Sequence, residues 1–289
     1  MMESLSQAVL NGLLTGGVYL VVTLGIALVF GIMRIVNFAH GEFVMLGAYV
    51  TYWSFTLMGM NPYLTLVLSS LVLFVLGLLT YKFLVEKILD APPINQVLLT
   101  FGISVVMQNL ALMLWSGNSV AMDMETRVVK LGAVQAGQDR IILFFLGLAI
   151  TILLSLVLTR TYLGKTMSAV SQNRRAAYLL GVNVPLVYLL SFALAAALAG
   201  LAGGLVSIVM YASPYIGGKL GLRAFAILTM AGLGNMGAII AASFLMGLIE
   251  SFVGIYVPQG PGWAEGVSFM IILAVLAFRP SGLKGLRAE

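Results

Sequence analysis

The sequence predicts an all-α polytopic membrane protein with about eight transmembrane helices and two broken, re-entrant segments related as an inverted repeat. Three observations predict it. Hydrophobic residues make up 61% of the 289 positions and charged residues only 9%, with a mean hydropathy of +1.08, so the chain has too few charges to solvate a globular surface. Several apolar runs reach the roughly 20 residues needed to cross about 30 Å of hydrocarbon. Polar, glycine-bearing stretches interrupt the apolar pattern once in each half, the pointer to paired broken helices lining a solute path.

Taken in order, apolar runs bounded by turn signals place spans near 8–33, 40–58, 63–85, 94–115, 141–159, 186–211, 220–257 and 263–278. The seventh run would extend about 57 Å as one helix, far beyond a bilayer. The stretch "AGLGNMGA" (231–238) divides it into two helical pieces. The N-terminus, "MMESLSQAVLNG", lacks a basic n-region, and the apolar run after it is too long for a signal-peptide core, so no cleavage is expected. Residues 1–289 read as one transmembrane domain.

Orientation follows from the basic residues. The segment 160–185 holds Arg160, Lys165, Arg174 and Arg175 without an acid, and the tail holds Arg279, Lys284 and Arg287, so both are assigned to the cytoplasm. Alternating outward from these puts ten Lys/Arg inside and five outside, with Lys219 and Arg223 the outside pair that fits least well.

Composition also excludes functions. Without cysteine there is no disulfide, thiol nucleophile or thiolate metal site, and a single histidine, His40, cannot build a multi-histidine centre. No phosphate-loop spacing G-x-x-x-x-G-K-[ST] occurs, so this chain is no Walker-type ATPase. The net charge of +5 reflects basic loops of a membrane protein rather than a nucleic-acid partner. No enzyme activity, metal or bound cofactor is expected of the chain, and its surface partner is membrane lipid.

"RIVNFAHGEFVMLGAY" (34–49) sets Asn37, His40, Gly41 and Glu42 directly against a resumed apolar run. Charges at membrane depth cost about 2.5–3.5 kcal/mol each on insertion scales and usually face a protein interior or an aqueous path. The stretch is therefore either half of a solute gate or a solvated cytoplasmic turn. In the gate reading Asn37 contacts solute, His40 positions the break, and Glu42 caps the following helix. Gly232, Gly234 and Asn235 of the second interruption form the other half. The small residues of "SFALAAALAGLAGGLVS" (191–207) predict tight packing within the chain. Glu250 is expected at a polar boundary, and Trp263 at headgroup level.

"RTYLGKTMSAVSQNRRAAYLLGVNVPLVY" (160–188) is too long for a simple turn and predicts a short cytoplasmic helix from Lys165 to Leu180, ended by Gly181. It would rest on anionic lipid or dock a soluble partner. Within it, "RAAYLLG" (175–181) resembles the E-A-A-x-x-x-G signature of importer permeases, with Arg175 where that signature has Glu. "YLVVTLGIALVFGIMRIVNFAHGEFVMLGAY", with its intact N-F-A-H-G-E core, "SPYIGGKLGLRAFAILTMAGLGNMGA" and "FRPSGLKG" resemble three blocks of the branched-chain amino acid permease family of ABC transporters.

The resemblance, from about residue 8 to 285, implies a permease subunit of an ATP-driven importer in the bacterial inner membrane. It implies a second, homologous permease subunit, two cytoplasmic ATP-binding subunits using ATP and Mg, and a periplasmic binding protein delivering branched-chain amino acids. It assigns ATPase coupling to Gly164, Lys165, Arg174, Arg175, Ala176, Ala177 and Gly181. Urea and short-chain amides are the alternative solutes within the same fold. An ion-coupled secondary transporter is the rival from another class, with Glu42 and Glu250 its only plausible coupling carboxylates.

Overall fold

The computed structural model describes residues 2–124, 126–132, 134–232 and 236–278. The order is α1 (Met2–Met33), α2 (His40–Met58), α3 (Pro62–Phe83), a 3-10 turn (Val85–Ile88), α4 (Pro93–Trp115), β1 (Val128–Leu131) and β2 (Val134–Gly137). It continues with α5 (Gln138–Arg160), α6 (Tyr162–Gln172), α7 (Arg174–Leu179), α8 (Val184–Val209), α9 (Ile216–Ala231), α10 (Met236–Tyr256) and α11 (Gly260–Phe278). Among the described residues, six of these helices, α1, α3, α4, α5, α8 and α10, are long and apolar enough to cross a membrane. The chain is polytopic and mostly helical, as the composition predicts.

The helix starts follow from local chemistry. Proline opens α3, α4 and α8 in the first turn, where its missing N–H costs nothing. Asn61 and Asn183 cap α3 and α8 by accepting from the amides of Tyr63 and Leu186. One departure from an all-α chain is the antiparallel hairpin β1–β2, in a segment read from sequence as a plain loop. Val128, Val129, Val134 and the turn residue Gly132 (φ +64°) supply its strand and turn chemistry.

The chain clusters into two compact units. In the unit of residues 24–122 and 151–221, α8 packs against α2 and α3. The seam is built of small residues. A methyl on Gly47 would sit 2.7 Å from the Gly200 Cα, one on Gly77 2.6 Å from the Ala196 Cβ, and one on Gly203 2.6 Å from the Ala48 amide nitrogen. The expectation of tight packing for 191–207 is met: close backbone approach substitutes for the hydrophobic drive that lipid cannot supply. Ser69 ties all three helices, its hydroxyl meeting the carbonyls of Gly47 (3.1 Å) and Gly200 (2.8 Å).

In the unit of residues 1–23, 123–150 and 222–289, α1 and α10 run together on a second glycine seam. A methyl on Gly12 would meet the Leu248 Cα at 2.7 Å, and one on Gly247 the Gly16 Cα at 2.7 Å. Ser251 bonds the Ala8 carbonyl at 2.7 Å.

Residues on either side of each interruption come back together. Arg223 and Glu250 would stand about 40 Å apart along one helix, yet Arg223 Nε lies 3.0 Å from Glu250 Oε1. Gly25 and His40 would stand about 22 Å apart, yet a methyl on Gly25 would lie 2.5 Å from the His40 ring. The pairing also gives two charges a partner: Glu250, in the last third of α10, and Arg223, counted among the outside charges, are helix residues that meet each other.

Candidate functional site

The first interruption folds into residues 34–39, between α1 and α2. Arg34 ends α1 with a left-handed backbone (φ +56°), its amide bonding the Phe30 carbonyl at 2.9 Å. Asn37 is 3% exposed and its Oδ1 accepts from the Ala39 amide at 3.1 Å, an Asx turn that leads the chain into α2. Thr100 on α4 donates to the Val36 carbonyl at 3.1 Å and fixes the loop from the other side. An ordinary solvated turn does not fit: Asn37, His40 and Glu42 are all buried.

His40 opens α2 with its ring against Gly25, beside the Ala195 carbonyl. Ala195 is well inside α8, so the start of α2 is level with the interior of that helix rather than with its end.

Gly41 faces the carbonyl of Gly217 and the Cα of Gly221, both in the first turns of α9. Glu42 follows. Ser104 on α4 donates to its Oε1 at 3.2 Å, while Oε2 has no hydrogen-bond partner among the described residues and would touch a methyl on Gly217 at 2.5 Å.

Glu42 therefore does not cap α2 as expected. The cap position is Ala39, which makes no side-chain cap bond, and the Glu42 carboxylate turns instead toward α4 and the start of α9. It still lies in the first turn of α2, where the helix dipole favours an acid.

The sequence reading missed Gly217, Gly221 and Ser104. Small residues four apart in "GGKLG" are a signal for the glycine pair. No sequence pattern marks Ser104.

Of the second interruption, Gly232 ends α9 in a left-handed conformation (φ +79°), its amide bonding the carbonyls of Leu228 (3.1 Å) and Thr229 (3.3 Å). Gly234 and Asn235 lie outside the described residues.

The basic segment is two helices, not the single one expected. Asn173 divides α6 from α7 because its side chain accepts from the Ala176 amide at 2.9 Å and starts a new helix. Gly164 is buried against the carbonyl of Val157, with Met167 and Val170 on the same covered face, while Lys165 is exposed. Ala177 is buried, and Arg175, Ala176, Tyr178, Leu179 and Leu180 are exposed. Gly181 ends the segment as expected, with φ +82° and the amides of Gly181 and Val182 closing on Tyr178 and Ala177.

Arg174 points back into its own chain. Its Nη1 donates to Asp90 Oδ1 at 2.6 Å, and its guanidinium lies 5.6 Å from the Tyr188 ring centroid. The Asp90 bond raises the guanidinium above its ordinary range. Asp90, in the connection between α3 and α4, was not foreseen.

The family model described as "Branched-chain amino acid transport system / permease component" matches residues 8–276. The chain is 26% identical to the high-affinity branched-chain amino acid transport system permease protein BraD of Pseudomonas aeruginosa, over 96% of this chain and 95% of that one. It is 27% identical to the corresponding permease protein LivH of Escherichia coli K12, over 96% and 95%. A probable branched-chain amino acid transport permease protein LivH of Methanocaldococcus jannaschii is 26% identical over 91% of this chain and 87% of its own. No solved structure matches significantly. With a family model spanning nearly all of its apolar helices, the chain belongs to the permease-component family of branched-chain amino acid transport systems, a membrane transport subunit rather than an enzyme.

Proposed function

We propose that the protein is a permease subunit of an ATP-driven importer that carries branched-chain amino acids across the bacterial inner membrane. In this reading a periplasmic binding protein delivers the solute. A second, homologous permease completes the path, and two cytoplasmic subunits hydrolyse ATP with Mg. The whole chain, 1–289, forms one transmembrane domain, with about eight spans and two re-entrant segments.

The observation that carries the reading is the segment 160–185. It presents exposed Arg175, Tyr178, Leu179 and Leu180 on a short two-helix element braced by Arg174–Asp90, in a chain that has no nucleotide-binding motif of its own. A stand-alone transporter has no use for such an element; a partner-driven one needs it. Alternating access follows as a population shift: nucleotide binding closes the ATPases, α6–α7 carry that movement, and the polar stretches at Asn37–Glu42 and 232–235 open or seal the path.

The names of the relatives favour branched-chain amino acids over urea or short-chain amides. Co-purification and proteoliposome uptake test the reading. ATP-dependent leucine uptake by an assembly containing ATP-binding subunits is the expected result. Proton- or sodium-coupled uptake by the isolated chain would establish the secondary-transporter alternative instead, and ATP-driven uptake of urea but not leucine would reassign the solute.

A further inference from the structure

Three helices of the unit formed by 1–23, 123–150 and 222–289 bring a guanidinium, a carboxylate and a phenol together. Arg223 Nε on α9 lies 3.0 Å from Glu250 Oε1 on α10. The Tyr19 hydroxyl on α1 donates a short hydrogen bond to Glu250 Oε2. The Arg223 guanidinium carbon is 5.5 Å from the Tyr19 ring centroid. Tyr19 and Arg223 both stand near the middle of their helices, and the charged side chains are 20% and 9% exposed.

The glycine seam at Gly12, Gly16 and Gly247 already closes α1 on α10, so Tyr19 is not needed to clamp those two helices, while the ion pair itself joins α10 to α9. A buried ion pair also adds little over well-packed apolar residues of the same size, because desolvation offsets its Coulomb energy. Ionisable groups among apolar helices are by default functional.

We infer that Arg223 and Glu250 form the recognition site for a zwitterionic α-amino acid, Arg223 taking its carboxylate and Glu250 its ammonium group; this rests on the importer reading above and names the chemistry selected. The planar guanidinium fork matches a carboxylate, and Tyr19 holds the Glu250 carboxylate through its other oxygen. Inserting a zwitterion exchanges one ion pair for two, leaving no charge unpaired. Urea or a neutral amide inserted between the two residues would part them without supplying either opposite charge. The site thus separates amino acids from the neutral solutes of related permeases.

The test uses the purified permease–ATPase complex without binding protein, and saturation-transfer NMR with leucine, 4-methylpentanoate, which lacks the ammonium, and 3-methylbutylamine, which lacks the carboxylate. Leucine should show at least fivefold stronger transfer than either half-molecule. In complexes that still assemble, Glu250→Gln, Arg223→Gln and the double variant should each lose that transfer at least fivefold. Equal transfer from leucine and the half-molecules in the wild type overturns the proposal even if no variant assembles, as does an assembled double variant that behaves like the wild type. Failure of the wild-type complex to take up leucine with its binding protein present would instead overturn the importer reading.

Discussion

Gly41 at the start of α2 and Gly217 at the start of α9 meet backbone to backbone, so closely that a methyl on Gly41 would collide with the Gly217 carbonyl. The contact joins two chain segments that both begin helices inside the same unit. Gly41→Ala should insert and assemble with its partners but lower solute uptake at least tenfold, because overpacking of this kind costs about 1–3 kcal/mol and must be relieved by separating the helices. Uptake in proteoliposomes, normalised to assembled transporter, checks it. A wild-type rate would show that the two helices need not touch during the cycle.

The Glu42 carboxylate takes one hydrogen bond from Ser104 and leaves Oε2 without one among the described residues. Glu42→Gln keeps an acceptor for Ser104 and should preserve thermal stability in detergent while reducing uptake at least tenfold. Ser104→Ala should lower stability by about 1–3 kcal/mol, the cost of leaving a buried polar group with fewer bonds. An uptake rate unchanged by Glu42→Gln would make the carboxylate a purely structural support.

Because the chain contains no cysteine, single cysteines at positions 37, 40 and 42 give clean accessibility probes. Labelling by a membrane-impermeant thiol reagent should differ between nucleotide-trapped and nucleotide-free transporter, and should be weak in the conformation described here, where all three residues are buried. Full labelling in both states would mark a solvated turn.

On the cytoplasmic segment, Arg175→Glu combined with Leu179→Asp should uncouple ATP hydrolysis from uptake, since both side chains are exposed. Asp90→Ala and Arg174→Ala should have non-additive effects on coupling, because they share one bond, with Arg174→Ala the larger since it also loses the contact to Tyr188. Their effect on stability should stay within about 1 kcal/mol, as the pair is solvent-exposed. Coupling ratios of ATP hydrolysed per solute moved decide it.

Gly203→Val should destabilise the unit by more than 2 kcal/mol, since the new side chain would strike the Val44 carbonyl and the Ala48 amide on α2. Gly102→Ala on α4, where nothing lies within 4 Å, should be neutral or slightly stabilising. Thermal unfolding of the two variants in the same detergent compares them directly.

The membrane class, the long apolar helices, the stop at Gly181 and the small-residue seam of 191–207 were legible in the sequence alone, because each depends on the period and chemistry of neighbouring residues. The same local logic marked Asn37–Glu42 as unusual. It also made 165–180 one helix, since propensity favours the helix throughout and only the Asn173 side-chain bond divides it. What no local pattern could supply is the meeting of distant residues. Gly41 finds Gly217 across 176 positions, Glu42 finds Ser104, and Arg223 finds Glu250. Glu250 showed no partner in the sequence because hydropathy along a chain is blind to a residue on another helix. The tertiary structure decided where the charges are paired, since burial becomes affordable for an ion only when folding brings its counter-charge within hydrogen-bonding distance.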